Sequence, residues 1–126
     1  SKPITIWLGF KKKIKDEVTT YTMFNQNIIH TNKNAQFSKE SKTIINKLIT
    51  LIKKERPKNI VIHVHTSSDG LYDTNKTIAE KRGQKLKEMI EAVFPISTIT
   101  VKAHGEASPY NIKKSKWDDR YEIDLF

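Results

Sequence analysis

Two periods of apolar and polar residues run along this chain. Ile4-Thr5-Ile6-Trp7-Leu8 alternates and predicts a strand that Gly9 ends. Lys11, Lys12, Lys13 and Lys15 follow and read as an exposed turn. Val18 to Phe24 is rich in β-branched and aromatic residues and predicts a second strand, paired with the first as a hairpin. Asn25 to Gln36 is polar and predicts a loop that Ile28 and Ile29 pack down.

The period then changes. Ile44, Ile45, Leu48, Ile49 and Ile52 recur at helical spacing behind Ser38, whose hydroxyl suits an N-cap. Lys53 and Lys54 complement the negative end of that helix, and Pro57 forbids its continuation. Ile60, Ile62 and Val64 alternate with Val61, His63 and His65, which predicts a central, helix-covered strand. Thr66-Ser67-Ser68-Asp69-Gly70 reads as a turn. A second helix is predicted over Thr77–Phe94, because Thr77 and Glu80 have capping-box spacing and Ile78, Leu86, Met89, Ile90 and Val93 form a stripe. Pro95 closes it. Thr98–Ala103 alternates as a strand, a basic loop holds Lys113, Lys114 and Lys116, and Tyr121, Ile123 and Leu125 alternate in a last strand. Two strand–helix–strand crossovers imply some parallel pairing. The predicted fold is an α+β two-layer sandwich, a mixed β-sheet with two main helices on one face.

Composition narrows the class. A chain of 126 residues fits one domain, and 37% hydrophobic content supports one modest core. There is no cysteine, which excludes disulfides, a thiol nucleophile and thiolate-bound metal. No apolar run approaches the roughly 18–20 residues that span a bilayer, and the first ten residues do not read as a signal peptide. Ser1 in place of Met points to a processed product or an excised domain, with an anchor or export signal upstream. The net charge of +9 favours an anionic partner: nucleic acid, a phospholipid surface or a carboxylate-rich polymer.

Several residues could carry chemistry. His63 and His65 point the same way on one strand and could chelate a metal with His104, although a strand histidine is more often hydrogen-bonded than ligating. Ser67, Ser68 and Asp69 lie near His65, yet no GxSxG elbow, HExxH motif or glycine-rich phosphate loop occurs, so neither catalysis nor a cofactor is indicated. The lysine clusters around Lys11, Lys53 and Lys113 read as solvated faces or as a nucleic-acid surface. Arg82 falls about one turn into the second predicted helix. There it makes either a carboxylate-binding corner with free backbone amides or a surface pair with Glu80 or Asp73.

A family pattern runs through these residues. His65-Thr66-Ser67-Ser68-Asp69-Gly70, followed by Asn75, Ile78 and Arg82-Gly83, resembles G-H-T-D-x-x-G with N-x-x-L-S-x-x-R-A at ungapped spacing. Ala103-His104-Gly105-Glu106-Ala107-Ser108-Pro109 resembles G-x-G-E-x-x-P, and Asp118-Asp119-Arg120-Tyr121-Glu122-Ile123 resembles N-R-R-V-E-I. Together they resemble the OmpA-like C-terminal domain of OmpA, Pal and MotB-type proteins. The resemblance divides the chain into an N-terminal strand extension, 1–23, and an OmpA-like domain, 24–126.

The resemblance implies a non-enzymatic periplasmic domain that grips peptidoglycan without covalent bonds. Such a domain belongs to a membrane-anchored or outer-membrane protein and works without cofactor or metal. It would anchor a larger envelope protein or machine through diaminopimelate of the stem peptide, with Arg82 on the ligand carboxylate and Asn75, Ser67, Asp69 and Thr66 around it. The departures bear on the ligand more than on the fold. The family Asp falls on Ser67, Asp69 is the nearby substitute, the Gly before the signature His is Val64, and the first Arg of the last strand is Asp119. The alternative is a degenerate domain that has lost the ligand and docks proteins in a motor or secretion complex. Nucleic acid is the weaker partner on this reading.

Overall fold

The computed structural model describes residues 4–7, 10–24, 36–66, 72–105 and 119–126. The elements are β1 (Ile4–Trp7), β2 (Lys11–Lys15), β3 (Val18–Phe24), α1 (Lys39–Glu55), β4 (Asn59–His65), α2 (Tyr72–Val93), β5 (Thr98–Gly105) and β6 (Arg120–Leu125). They build one six-stranded sheet in the order β1-β2-β3-β6-β4-β5. The β4–β5 pair is parallel, and every other neighbouring pair is antiparallel. The mixed sheet with two helices is the expected α+β sandwich.

The lysine run is a correction. Lys11–Lys15 is a strand, not a turn, and it lies between β1 and β3, so those two do not pair as a hairpin. The reversal comes later, at Asp16-Glu17 between the paired Lys15 and Val18. Both turn residues have positive φ, 49° and 68°, as a two-residue type I′ turn requires. Lysine tolerates this strand because Lys12 uses its stem and charge on the helix side. Its Nζ lies 5.6 Å from the Tyr21 ring centroid and 3.5 Å from Glu55 Oε1. β3 crosses residue 24, and its Tyr21 and Met23 are buried in the same core as both helices.

α1 follows its sequence. Ser38 Oγ accepts from the Ser41 amide at 3.2 Å, and Ile45, Leu48, Ile49 and Ile52 are buried. The helix ends on Arg56 in the left-handed region, φ 48°, with its amide bonded to the Ile52 carbonyl at 3.0 Å. The Arg56 guanidinium sits 5.8 Å from the Phe94 ring centroid, a packing role glycine could not fill.

α2 is a second correction. It begins at Tyr72, five residues before Thr77, so Thr77 and Glu80 lie inside the helix and form no capping box. The longer helix carries Asn75, Ala79, Gly83, Leu86 and Ile90 as its buried row, spaced by three or four residues.

Ile60, Ile62 and Val64 of β4 pair across the sheet with Tyr121, Ile123 and Leu125 of β6, and all six are buried on the helix side. Val61 and His63 point to the other face and are only half-buried, so β4 is central but covered by helices on one face alone. On that open face Lys11 and Lys13 stand opposite Thr22 and Thr20. Lys53 and Lys54 belong to the helical layer, so the basic groups among the described residues do not share one face. No described helix is long and apolar enough to cross a membrane.

Candidate ligand-binding site

Two glycines bring α2 down onto the sheet. A Cβ on Gly83 would overlap Val101 Cγ1 and stand 3.0 Å from Val64 Cγ2, so a side chain there would lift the helix. Gly105 closes β5 with φ +58°, and a Cβ there would meet the Lys76 backbone at 3.2 Å. Its carbonyl accepts from the Thr66 amide at 2.7 Å, tying the ends of the parallel strands together under the first turns of α2.

That close approach positions Arg82. The residue lies in the third turn of α2, because the helix starts at Tyr72. It is therefore about 15 Å from the helix start, at 1.5 Å per residue, and the expected corner with first-turn amides does not exist. Arg82 reaches instead toward the start of β6, where its Nη1 lies 3.6 Å from Asp119 Oδ1. The partner is not Glu80. Between the two strands, His65 pairs with Arg120.

Two polar atoms here are buried and unsatisfied. Arg82 Nε and Thr66 Oγ1 have no hydrogen-bond partner, although Thr66 is only 5% exposed. An orphaned buried donor costs about 1–3 kcal/mol, so a natural protein rarely leaves one without a use. The Tyr121 phenol is buried and packs against Phe37, with ring centroids 6.1 Å apart. Burial raises its pKa well above 10.0, while the nearby Arg82 lowers it and Asp119 raises it. Asn75 is buried on the face of α2 that also carries Arg82, two turns earlier. Thr66, Asn75 and Arg82 are thus at one end of the sheet, and Ser67 and Asp69 lie outside the described residues. Sequence reading missed Asp119 as a neighbour of Arg82. The available signal was the exchange of charge at the family's Arg position.

A separate polar network occupies the open face. Asp124 accepts from Thr20 Oγ1 at 2.6 Å through Oδ1 and from His63 Nε2 at 3.0 Å through Oδ2. A carboxylate can only accept, so His63 donates to it from Nε2. His63 Nδ1 and His104 Nε2 share a second hydrogen bond at 2.8 Å. His65 stacks on His104 with centroids 4.6 Å apart. Its Nε2 is 3.5 Å from Glu122 Oε2, but that oxygen is committed to Arg120 Nε at 2.6 Å, and buried His65 stays neutral. Two Zn–N bonds at a tetrahedral angle would hold the nitrogens about 3.3 Å apart. The observed spacing is a hydrogen bond, and no described group of three or more His, Asp or Glu could hold a metal ion.

With this geometry in place, comparison with known proteins defines the class of fold. No protein-family model matches the sequence, and no curated protein matches it significantly. Solved structures do. The periplasmic domain of Helicobacter pylori MotB superposes with TM-score 0.71 at 14% identity, over 98% of this chain and 85% of that one. The OmpA-like domain of FopA1 from Francisella tularensis gives 0.62 at 12% identity, over 98% and 79%. The cell wall anchor of the T6SS from Pseudomonas aeruginosa gives 0.66 at 11% identity, over 98% and 87%. The chain has the OmpA-like fold.

Proposed function

We propose that this chain is a non-enzymatic, periplasmic cell-wall-binding domain that anchors a larger envelope protein or machine to peptidoglycan. The observation that carries the reading is the pair of unsatisfied donors, Arg82 Nε and Thr66 Oγ1, at the sheet end where the family resemblance places its ligand. A guanidinium with a free Nε edge takes a carboxylate side-on in two parallel bonds. The carboxylate supplied would be that of diaminopimelate in the stem peptide, with Asn75 shaping the site and Ser67 and Asp69 on the loop between β4 and α2. The fold neighbours support this class of partner, because one is a cell wall anchor and another a periplasmic domain. Residues 1–23 would serve as an extension to the binding domain 24–126.

The test is an NMR or calorimetric titration with a diaminopimelate-containing muropeptide. Binding by the wild type, lost in a folded Arg82→Ala variant, is the expected result. No binding at millimolar ligand refutes the reading. It would favour the alternative of an interaction module that has lost its ligand, which the uncharged Ser67 at the family Asp position supports.

A further inference from the structure

The end of the sheet away from Thr66 gathers exposed apolar and basic groups. β4 runs from Asn59 at that end to His65, about 20 Å for a strand of this length. Three of the four exposed large hydrophobic side chains among the described residues lie there: Val93, Ile96 at 66% and Phe126 at 51% exposed. Scattered singly they would mean little, but backbone bonds hold their segments together. The Phe126 carbonyl accepts from the Lys58 and Asn59 amides at 3.0 and 2.9 Å, and the Lys58 carbonyl accepts from Thr98, two residues after Ile96, at 2.9 Å. Arg56 reaches across to the Phe94 ring, next to Val93. Lys53, Lys54, Arg56 and Lys58 are exposed, and none has an ion pair among the described residues. Arg56, Pro57, Lys58, Leu125 and Phe126 line a cleft of about 410 Å³. Glu17 and Glu55 also line it, but Glu55 is taken by the Tyr21 hydroxyl at 2.8 Å and by Lys12 at 3.5 Å. With Lys15 at the end of β2, the exposed cations here outnumber the exposed acids Asp16, Glu17 and Glu91.

We infer that this end is an interaction surface for an anionic phospholipid bilayer. Ile96 stands on the turn between α2 and β5, and Phe126 follows β6, so both stand beyond the ends of the strands. Apolar side chains placed this way enter the headgroup–acyl boundary, while the lysines and Arg56 meet lipid phosphates. The domain lies on the membrane and does not span it. A second copy fits this end poorly. A two-fold pairing sets the same patch against itself, so Lys53, Lys54, Arg56 and Lys58 of one copy face those of the other. An anionic bilayer supplies the opposite charge and an apolar layer beneath it. The inference goes beyond the peptidoglycan reading and does not depend on it.

The test is flotation of the full chain with phosphatidylcholine vesicles, with and without phosphatidylglycerol, at physiological ionic strength. Wild type should float with the anionic vesicles and stay unbound to the neutral ones. Lys53→Gln with Lys54→Gln and Lys58→Gln should lose about a hundredfold in partitioning, at about fivefold per lysine. Ile96→Ser with Phe126→Ser should lose at least about tenfold. Both side chains are exposed, so circular dichroism should show an unchanged fold. Lys39→Gln with Lys42→Gln and Lys47→Gln removes the same charge from the rest of α1 and should cost less than about threefold, because those groups are screened from the surface. Arg82→Ala should partition as wild type does, which separates this surface from the peptidoglycan site. Wild type that does not float overturns the inference. So do equal losses in the two lysine triples, because net charge alone would then suffice, and an unaffected Ile96→Ser, Phe126→Ser variant. A wild-type dimer in vesicle-free solution that this double variant dissociates also overturns it, by assigning the end to a second copy.

Discussion

Mild acid should destabilise this domain, and His65 sets the size of the effect. Its imidazole is only 5% exposed, and its Nδ1 has no hydrogen-bond partner. Burial, then the charge of Arg120, then His104 and His63 push its pKa down from 6.5 to about 3. His104 shifts the same way, through burial first and then His63. In the unfolded chain His65 takes up a proton near pH 6.5, whereas in the folded chain it stays neutral until about pH 3. The unfolded state therefore binds more protons across that window. The stabilisation is full above the unfolded pKa and falls as pH drops, by up to about 1.4 kcal/mol per pH unit. From pH 6.5 to 5 the loss from His65 alone is about 1–2 kcal/mol, a large share of a typical 5–15 kcal/mol. Asp124 does not offset it. Burial raises that carboxyl's pKa, but hydrogen bonds from His63 and Thr20 and the neighbouring charges hold it below 3.8 overall, so its contribution is lost only at still lower pH. Urea unfolding at pH 7.5, 6 and 5, followed by circular dichroism, should show the midpoint falling with pH. His65→Gln should flatten that fall. A midpoint independent of pH, or an unaltered slope in His65→Gln, refutes the reasoning.

Other substitutions test the framework that positions the site. Gly83→Ala should cost about 1–3 kcal/mol in urea unfolding, since the new methyl overlaps Val101 Cγ1 under α2. It should also weaken muropeptide binding by moving Arg82. Asp16→Asn with Glu17→Gly should stabilise the β2–β3 hairpin by roughly 0.5–1 kcal/mol, because both positions have positive φ and Glu17 in particular does not favour it. Arg82→Lys should keep the fold and its thermal midpoint while losing at least tenfold in ligand affinity, because a point charge cannot reproduce two parallel bonds.

The sequence showed the helix stripes, the capping role of Ser38 and the alternation of Tyr121, Ile123 and Leu125 because each is local and repeats at the period of its element. Lys11–Lys15 hid its strand because Ile14 is its only residue that favours one. What stabilises it is the Tyr21 ring and Glu55, nine and more than forty residues from Lys12. The Asp16-Glu17 turn lacked the glycine or asparagine that usually marks its type. At α2, the Thr77–Glu80 spacing imitated an N-terminus, whereas Gly105 and the buried Asn75 require the helix to start earlier. Arg82, Asn75 and Thr66 were legible through the motif. The approach of Asp119 to Arg82 was not, since it depends on the antiparallel register of β6 against β4. The chain Thr20–Asp124–His63–His104 spans four strands, and no single strand announces it.

The most direct measurement is co-sedimentation with purified diaminopimelate-type sacculi at about 0.5 M salt, where the screening length is only about 4 Å. The salt matters because a net charge of +9 would hold any such protein to an anionic polymer at low ionic strength. The expected result is that the wild type pellets with the sacculi at this salt and folded Arg82→Ala stays in the supernatant. Wild-type protein that remains in the supernatant, or an Arg82→Ala variant that pellets equally, contradicts the account.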